Sequence, residues 1–82
     1  MKSIIYTRTA ATALRRHANR AKLIRTKIAQ YAGDASSQAN NVKRLVGVDA
    51  KRLRIGDFRA IFTETNDTIT VLDIGPRGGI YE

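Results

Sequence analysis

Cysteine is absent from the 82 residues of this chain, and histidine occurs once. No disulfide or thiolate metal centre can staple the fold, and a site built from several histidines is excluded. No apolar run approaches the ~20 residues that a membrane-spanning helix needs. The opening residues MKSIIYTRT carry only the apolar pair Ile4–Ile5, too short for the hydrophobic region of a secretory signal. These absences predict a cytoplasmic protein with no membrane association, no metal and no cofactor. There is no internal repeat and no low-complexity tract. The length predicts one domain over residues 1–82, and a chain of this size buries only roughly 60–65% of the surface its unfolded form exposes.

Acid is also missing where it would be expected. Residues 1–33 contain eight Lys and Arg and no Asp or Glu, and the seven acids all follow among the remaining seven bases. The whole chain carries a formal charge of +8, at the top of the range of about 2–8 usual for a small soluble domain. Such a balance points to a polyanionic partner: RNA, DNA or an acidic protein.

What is present divides into six elements. The β-branched and aromatic stretch Ser3–Thr7 reads as a short strand. Thr7 and Thr9 are each able to cap the helix that follows, since a hydroxyl can accept from unpaired first-turn N–H groups. Ala10, Leu14, Ala21, Ile24, Ile28 and Tyr31 draw one apolar stripe at helical spacing, broken by a single seven-residue gap. Asn19 in that gap is a poor interior helix residue and a good cap. The spacing therefore predicts helices over Arg8–His17 and Arg20–Ala32, with one unbroken helix as the alternative. His17 lies on this stripe and reads as a helix-end or core-edge residue, not a catalytic one. The polar run Gly33–Asn41 reads as a loop. Val42–Gly47 reads as a connector that Val42, Leu45 and Val46 pin to the core. Strands follow at Lys51–Ile55, Phe58–Thr65 and Ile69–Ile74, with tight turns at Gly56–Asp57 and Thr65–Thr68. The order predicts an α+β domain, βααβββ, with a helical hairpin on one face of a mostly antiparallel sheet.

Alternation assigns Leu53, Ile55, Phe58, Ala60 and Phe62 to the helix-covered face. Arg52, Arg54 and Arg59 fall on the other, expected to face water. Three guanidiniums with no acid on the same alternation repel one another unless an anion joins them, and their forked donors suit phosphate oxygens. Arg77 and Tyr81, after the last strand, are placed to reach the same face. Arg15, Arg16, Lys22 and Lys27 of the acid-free helices would add phosphate contacts.

The stretches NNVKRLVG, RLRIGDFRAIF and ITVLDIGPRGGIYE, with the opening YTRTAATALRR, resemble the RelE/ParE superfamily of bacterial toxins, RelE-like branch, over nearly the whole chain. The most specific parts are the hairpin motif around Gly56–Asp57 and the terminal arginine and tyrosine. The resemblance implies a type II toxin–antitoxin toxin that cleaves mRNA on the ribosome without a metal, inhibits translation, and is neutralised by a cognate antitoxin. Operator DNA would be met only through that antitoxin. It implies phosphate-stabilising or catalytic roles for Arg54, Arg59, Arg77 and Tyr81, with Arg52 as a further phosphate contact. Pro76 stands where many relatives have histidine, and the glutamate–histidine pair of some branches is missing. Arginine is a poor general base, so proton abstraction would fall to Tyr81, to ribosomal RNA groups or to water. The family also contains ParE-like toxins that poison gyrase without cutting RNA. A relative that binds only its antitoxin and operator is the third reading.

Overall fold

The computed structural model describes residues 1–76. β1 (Ser3–Tyr6) leads into α1 (Arg8–Arg16) and α2 (Ala18–Gly33), followed by a 3-10 helix (Ala35–Asn41). Four further strands complete the order: β2 (Val42–Arg44), β3 (Lys51–Ile55), β4 (Phe58–Glu64) and β5 (Thr68–Pro76). The strands form one sheet ordered β1-β5-β4-β3-β2, antiparallel except for the parallel β1–β5 pair. No described helix is long and apolar enough to cross a membrane.

The predicted stripe and strand face meet as one core. Ala10, Leu14, Ile24, Ile28 and Tyr31 pack against Leu53, Ile55, Ala60, Phe62, Ile69 and Val71. Burying each of the larger aliphatic side chains stabilises the fold by about 1.5–3 kcal/mol. Thr7, not Thr9, caps α1: its Oγ1 accepts from the Ala10 N–H at 3.1 Å and donates to the Leu72 carbonyl at 2.9 Å. One hydroxyl thus starts the helix and ties it to β5.

Several expectations are corrected. The helices break at His17 (φ −111°, ψ 50°), and α2 starts directly after it, so Asn19 is not the cap. His17 packs edge-on against Phe58 with ring centroids 4.9 Å apart, and this tertiary contact outweighs local capping preference. It also places His17 at the core edge, as its position on the stripe predicts. Gly33–Asn41 is not an open loop. The Asp34 carboxylate accepts from the Ser36 N–H and hydroxyl at 3.1 and 2.6 Å, which winds the segment into 3-10 turns. Val42–Arg44 is an edge strand against β3, so the sheet has five strands where four were expected. Val42 packs on the core as predicted, but Val46 is fully exposed at the hairpin tip.

The Gly56–Asp57 turn joins Ile55 to Phe58 as predicted, with Gly56 at φ +57°, a conformation glycine adopts without steric cost. In β5 the alternation is interrupted. Ile61 pairs with Asp73 and Phe62 with Val71, leaving Leu72 as an extra residue. This bulge turns Ile74 into the core and brings Asp73 opposite Ile61, on the far face.

Glu64 ties the fold together at the opposite end from the Gly56 turn. Its carboxylate lies 2.6 Å from Lys2 Nζ and 2.9 Å from Lys51 Nζ, and it accepts the Tyr31 hydroxyl at 2.7 Å. Lys2 Nζ also donates to the Thr65 carbonyl at 2.7 Å. One carboxylate thereby joins the segment before β1 to α2, β3 and β4. Burial alone would raise its pKa, but the hydrogen bonds from Lys2, Tyr31 and Lys51 hold it down to about 2. The Tyr31 phenol is pushed well above its usual value by burial and by that carboxylate, so it remains a donor.

Candidate nucleic-acid interface

The arginines of the opening hairpin meet through register. Antiparallel pairing sets Arg54 directly opposite Arg59, Arg52 opposite Ile61, and Lys43 opposite Arg52. Directly opposed residues share a face, with Cβ atoms about 4.5–5.5 Å apart. Arg52, Arg54 and Arg59 therefore share the face away from the helices, as the alternation predicts. Like charges placed opposite one another destabilise a sheet, and a bound anion would relieve that cost.

Their exposures differ from the expectation. Arg54 is exposed and Arg52 half-buried, whereas Arg59 is only 7% exposed and Ile61 only 1%. β4 is the central strand, flanked on both sides, so its outward side chains are crowded by their neighbours. β3 is different, because β2 pairs only with Lys51–Leu53. The end of β3 beyond Leu53 has no strand on its outer side, and Arg54 stays open. Arg59 also braces the turn. Its Nη1 donates to the Phe58 carbonyl at 3.1 Å and to the Gly56 carbonyl at 3.3 Å.

The gap left before β2 begins is a cleft of about 540 Å3 bordered by Arg54, Arg59, Lys27, Gln38, Asn41 and the Gly56–Asp57 turn. Lys27 comes from α2, on the helix-covered side, and reaches the cleft because the sheet ends there. Arg20, on the same face of α2 two turns before Lys27, borders the other side of the same turn. Four cations from three elements thus surround the hairpin end, with Asp57 beside them. Arg54 makes no hydrogen bond or ion pair among the described residues.

A second cleft, of about 500 Å3, lies along the other edge of the sheet, where β1 has ended and β5 continues. Arg8, Arg16 and His17 line it opposite Asp73 and Pro76. Arg16 therefore belongs to a different basic surface from Lys27. Arg15, which donates to Thr12 Oγ1 at 3.2 Å, and Lys22 are exposed on α1 and α2. Arg77 and Tyr81 lie outside the described residues.

Sequence reasoning missed Arg20, Gln38 and Asn41 as neighbours of this site. Arg20 is one of eight bases in an acid-free stretch, and nothing local sets it apart from the others. Gln38 and Asn41 sit in a stretch whose composition resembles any polar loop. The usable signal was Asp34 followed by two serines, a local capping pattern that orders such a segment.

No protein-family model matches the chain, and no curated protein sequence does. Solved structures do. A chain of the archaeal RelE–RelB complex from Pyrococcus horikoshii OT3 superposes with a TM-score of 0.77 at 20% identity, over 96% of this chain and 98% of that one. YafQ from E. coli strain BL21(DE3) superposes with a TM-score of 0.65 at 14% identity over the full length of both. The class is therefore settled by fold: a small α+β domain of RelE-like architecture, helices on a five-stranded, mostly antiparallel sheet, similar to these two proteins.

Proposed function

We propose that this protein is the toxin of a type II toxin–antitoxin module and a metal-independent endoribonuclease acting on ribosome-bound mRNA. The observation that carries the reading is the opposed pair Arg54–Arg59 at a cleft shared with Lys27. Three donors of positive charge around one opening suit a backbone phosphate, whose negative charge grows as it is attacked. In the reaction the neighbouring 2′-oxygen bonds to phosphorus while the bond to the 5′-oxygen breaks. The 2′-hydroxyl proton leaves to a base, and the departing 5′-oxygen takes up a proton. The fragments end in a 2′,3′-cyclic phosphate and a 5′-hydroxyl. Arg54 and Arg59 stabilise the phosphorane-like charge. The base would be Tyr81, a ribosomal RNA group or water. A cognate antitoxin with an acidic binding segment would neutralise the +8 chain.

Inducing the protein in cells and mapping the 5′ ends of mRNA is the decisive experiment. New ends that cluster within translated codons, and vanish when ribosomes are removed from the message, support the reading. Growth arrest with intact mRNA and inhibited DNA replication would instead indicate a gyrase-directed toxin.

The exposed helix bases Arg15 and Lys22, with Arg16 and Arg20, should contribute salt-sensitive contacts to ribosomal RNA. Association with purified ribosomes is expected to weaken about 10- to 100-fold between 50 and 200 mM salt, as counterions compete for the phosphates. Sedimentation of a labelled, inactive variant measures this, and a flat salt response would remove these residues from the interface.

A further inference from the structure

Among the described residues two polar side chains are buried, Gln38 at 6% and Arg59 at 7% exposure, and both border the same cleft. The segment that carries Gln38 is held in place. Asp34 caps Ser36, and the Ser37 hydroxyl donates to the Asp34 carbonyl at 2.7 Å. The 3-10 helix breaks at Gln38 itself (φ −121°, ψ 19°). There the Gln38 Nε2 donates to Gln30 Oε1 at 3.0 Å, and the Asn41 Nδ2 donates to Gln38 Oε1 at 3.2 Å.

These bonds form a directed chain of three amides, each carbonyl accepting from the next amide nitrogen. The direction orients Asn41, which is half-buried at the cleft wall. Its Oδ1 accepts no hydrogen bond among the described residues, and one Nδ2 hydrogen remains. Burying a glutamine is costly unless both its ends are bonded. Here both are, and the outcome is an oriented amide fork beside two phosphate-seeking arginines.

We propose that Asn41, positioned by Gln38, reads the nucleobase adjoining the phosphate held at Arg54 and Arg59, and that it prefers adenine. This rests on the RNA-cleaving reading above. An amide fork offers one acceptor and one donor, which match the adenine N6 amino group and N7. On the same edge guanine presents O6 and N7, both acceptors, so Oδ1 would face an acceptor. Bases in single-stranded RNA expose these edges, and a cleft of about 540 Å3 is of ligand-binding size.

The test compares wild type, Asn41→Ala and Gln38→Leu by 5′-end mapping at single-nucleotide resolution, scoring total cutting and base composition separately. Wild type is expected to show adenine enriched at one fixed position beside the cut, roughly tenfold over guanine. Asn41→Ala should still cut, about tenfold more slowly at the adenine sites, while that enrichment falls to within about twofold of the transcript background. Gln38→Leu, which frees Asn41 to rotate, should weaken the preference less than Asn41→Ala does. An unchanged base profile in Asn41→Ala overturns the subsite and leaves the RNA-cleaving reading standing. Complete loss of cutting in Asn41→Ala would assign the residue to the phosphate chemistry and overturn base reading. Absence of any cutting by wild type would bring down the RNA-cleaving reading, and the subsite with it.

Discussion

Arg54→Ala is expected to lose growth arrest on induction and to cut mRNA about 100- to 1000-fold more slowly, the usual cost of removing one donor to developing charge. Its thermal midpoint should stay within about 2–4 °C of wild type, since surface changes without partners rarely exceed about 0.5 kcal/mol. That separation of activity from stability follows from position. Arg54 is exposed at the end of β3 that β2 leaves unpaired, and no described residue bonds to it. Arg54→Lys keeps the charge but loses the planar fork, and should fall between the two. Arg59→Ala should behave differently, reducing activity and also stability by about 1–2 kcal/mol, because Arg59 is buried and braces the Gly56 turn. Growth curves, cleavage mapping and thermal melts on the same variants check each part. Full toxicity of Arg54→Ala would remove the opposed arginines from the chemistry.

Glu64→Gln has the largest expected effect on the fold. It replaces a carboxylate bonded to Lys2, Lys51 and Tyr31 by an amide that cannot satisfy two ammonium groups. The loss should be about 2–3 kcal/mol at neutral pH, or roughly 10–20 °C in midpoint. The pH dependence gives a separate signature. The folded-state pKa, about 2, lies below the ordinary carboxylate value of 4.5, so the folded state holds this proton less tightly than the unfolded one. The stabilisation is therefore complete above about pH 4.5 and fades as pH falls through that window toward 2. Denaturant titrations between pH 7 and 2 should show this acid-sensitive component in wild type and lack it in Glu64→Gln. Superimposable profiles would mean that the three bonds do not stabilise the folded state.

The two effects were not equally visible in the sequence. The arginine face was legible because alternation has a period of two, and Arg52, Arg54 and Arg59 obey it on either side of a two-residue turn. The cross-strand pairing of Arg54 with Arg59 follows from that turn alone. Glu64 gave no such signal. It stands on the inward alternation of β4, where a lone acid reads as a strand-end residue, and its partners lie 62, 33 and 13 positions away. Long-range charge pairing leaves no periodicity. The exposure of Arg59 was misjudged for a related reason: alternation tells which face a residue occupies, whereas burial depends on whether its strand is central or at an edge.

By itself, the sequence determined the helical hairpin, the three C-terminal strands, the core stripe and the side of the sheet that carries the arginines. These depend on local spacing, which fixes direction within an element. Only the tertiary structure decided that β1 lies parallel beside β5, that Val42–Arg44 is a short edge strand, and that a bulge at Leu72 turns Asp73 outward. It also brought Lys27 and the Gln38–Asn41 amides to Arg54. The cleft exists because β2 begins only opposite Leu53, and where a strand's pairing starts is set by its neighbours, which no local pattern records.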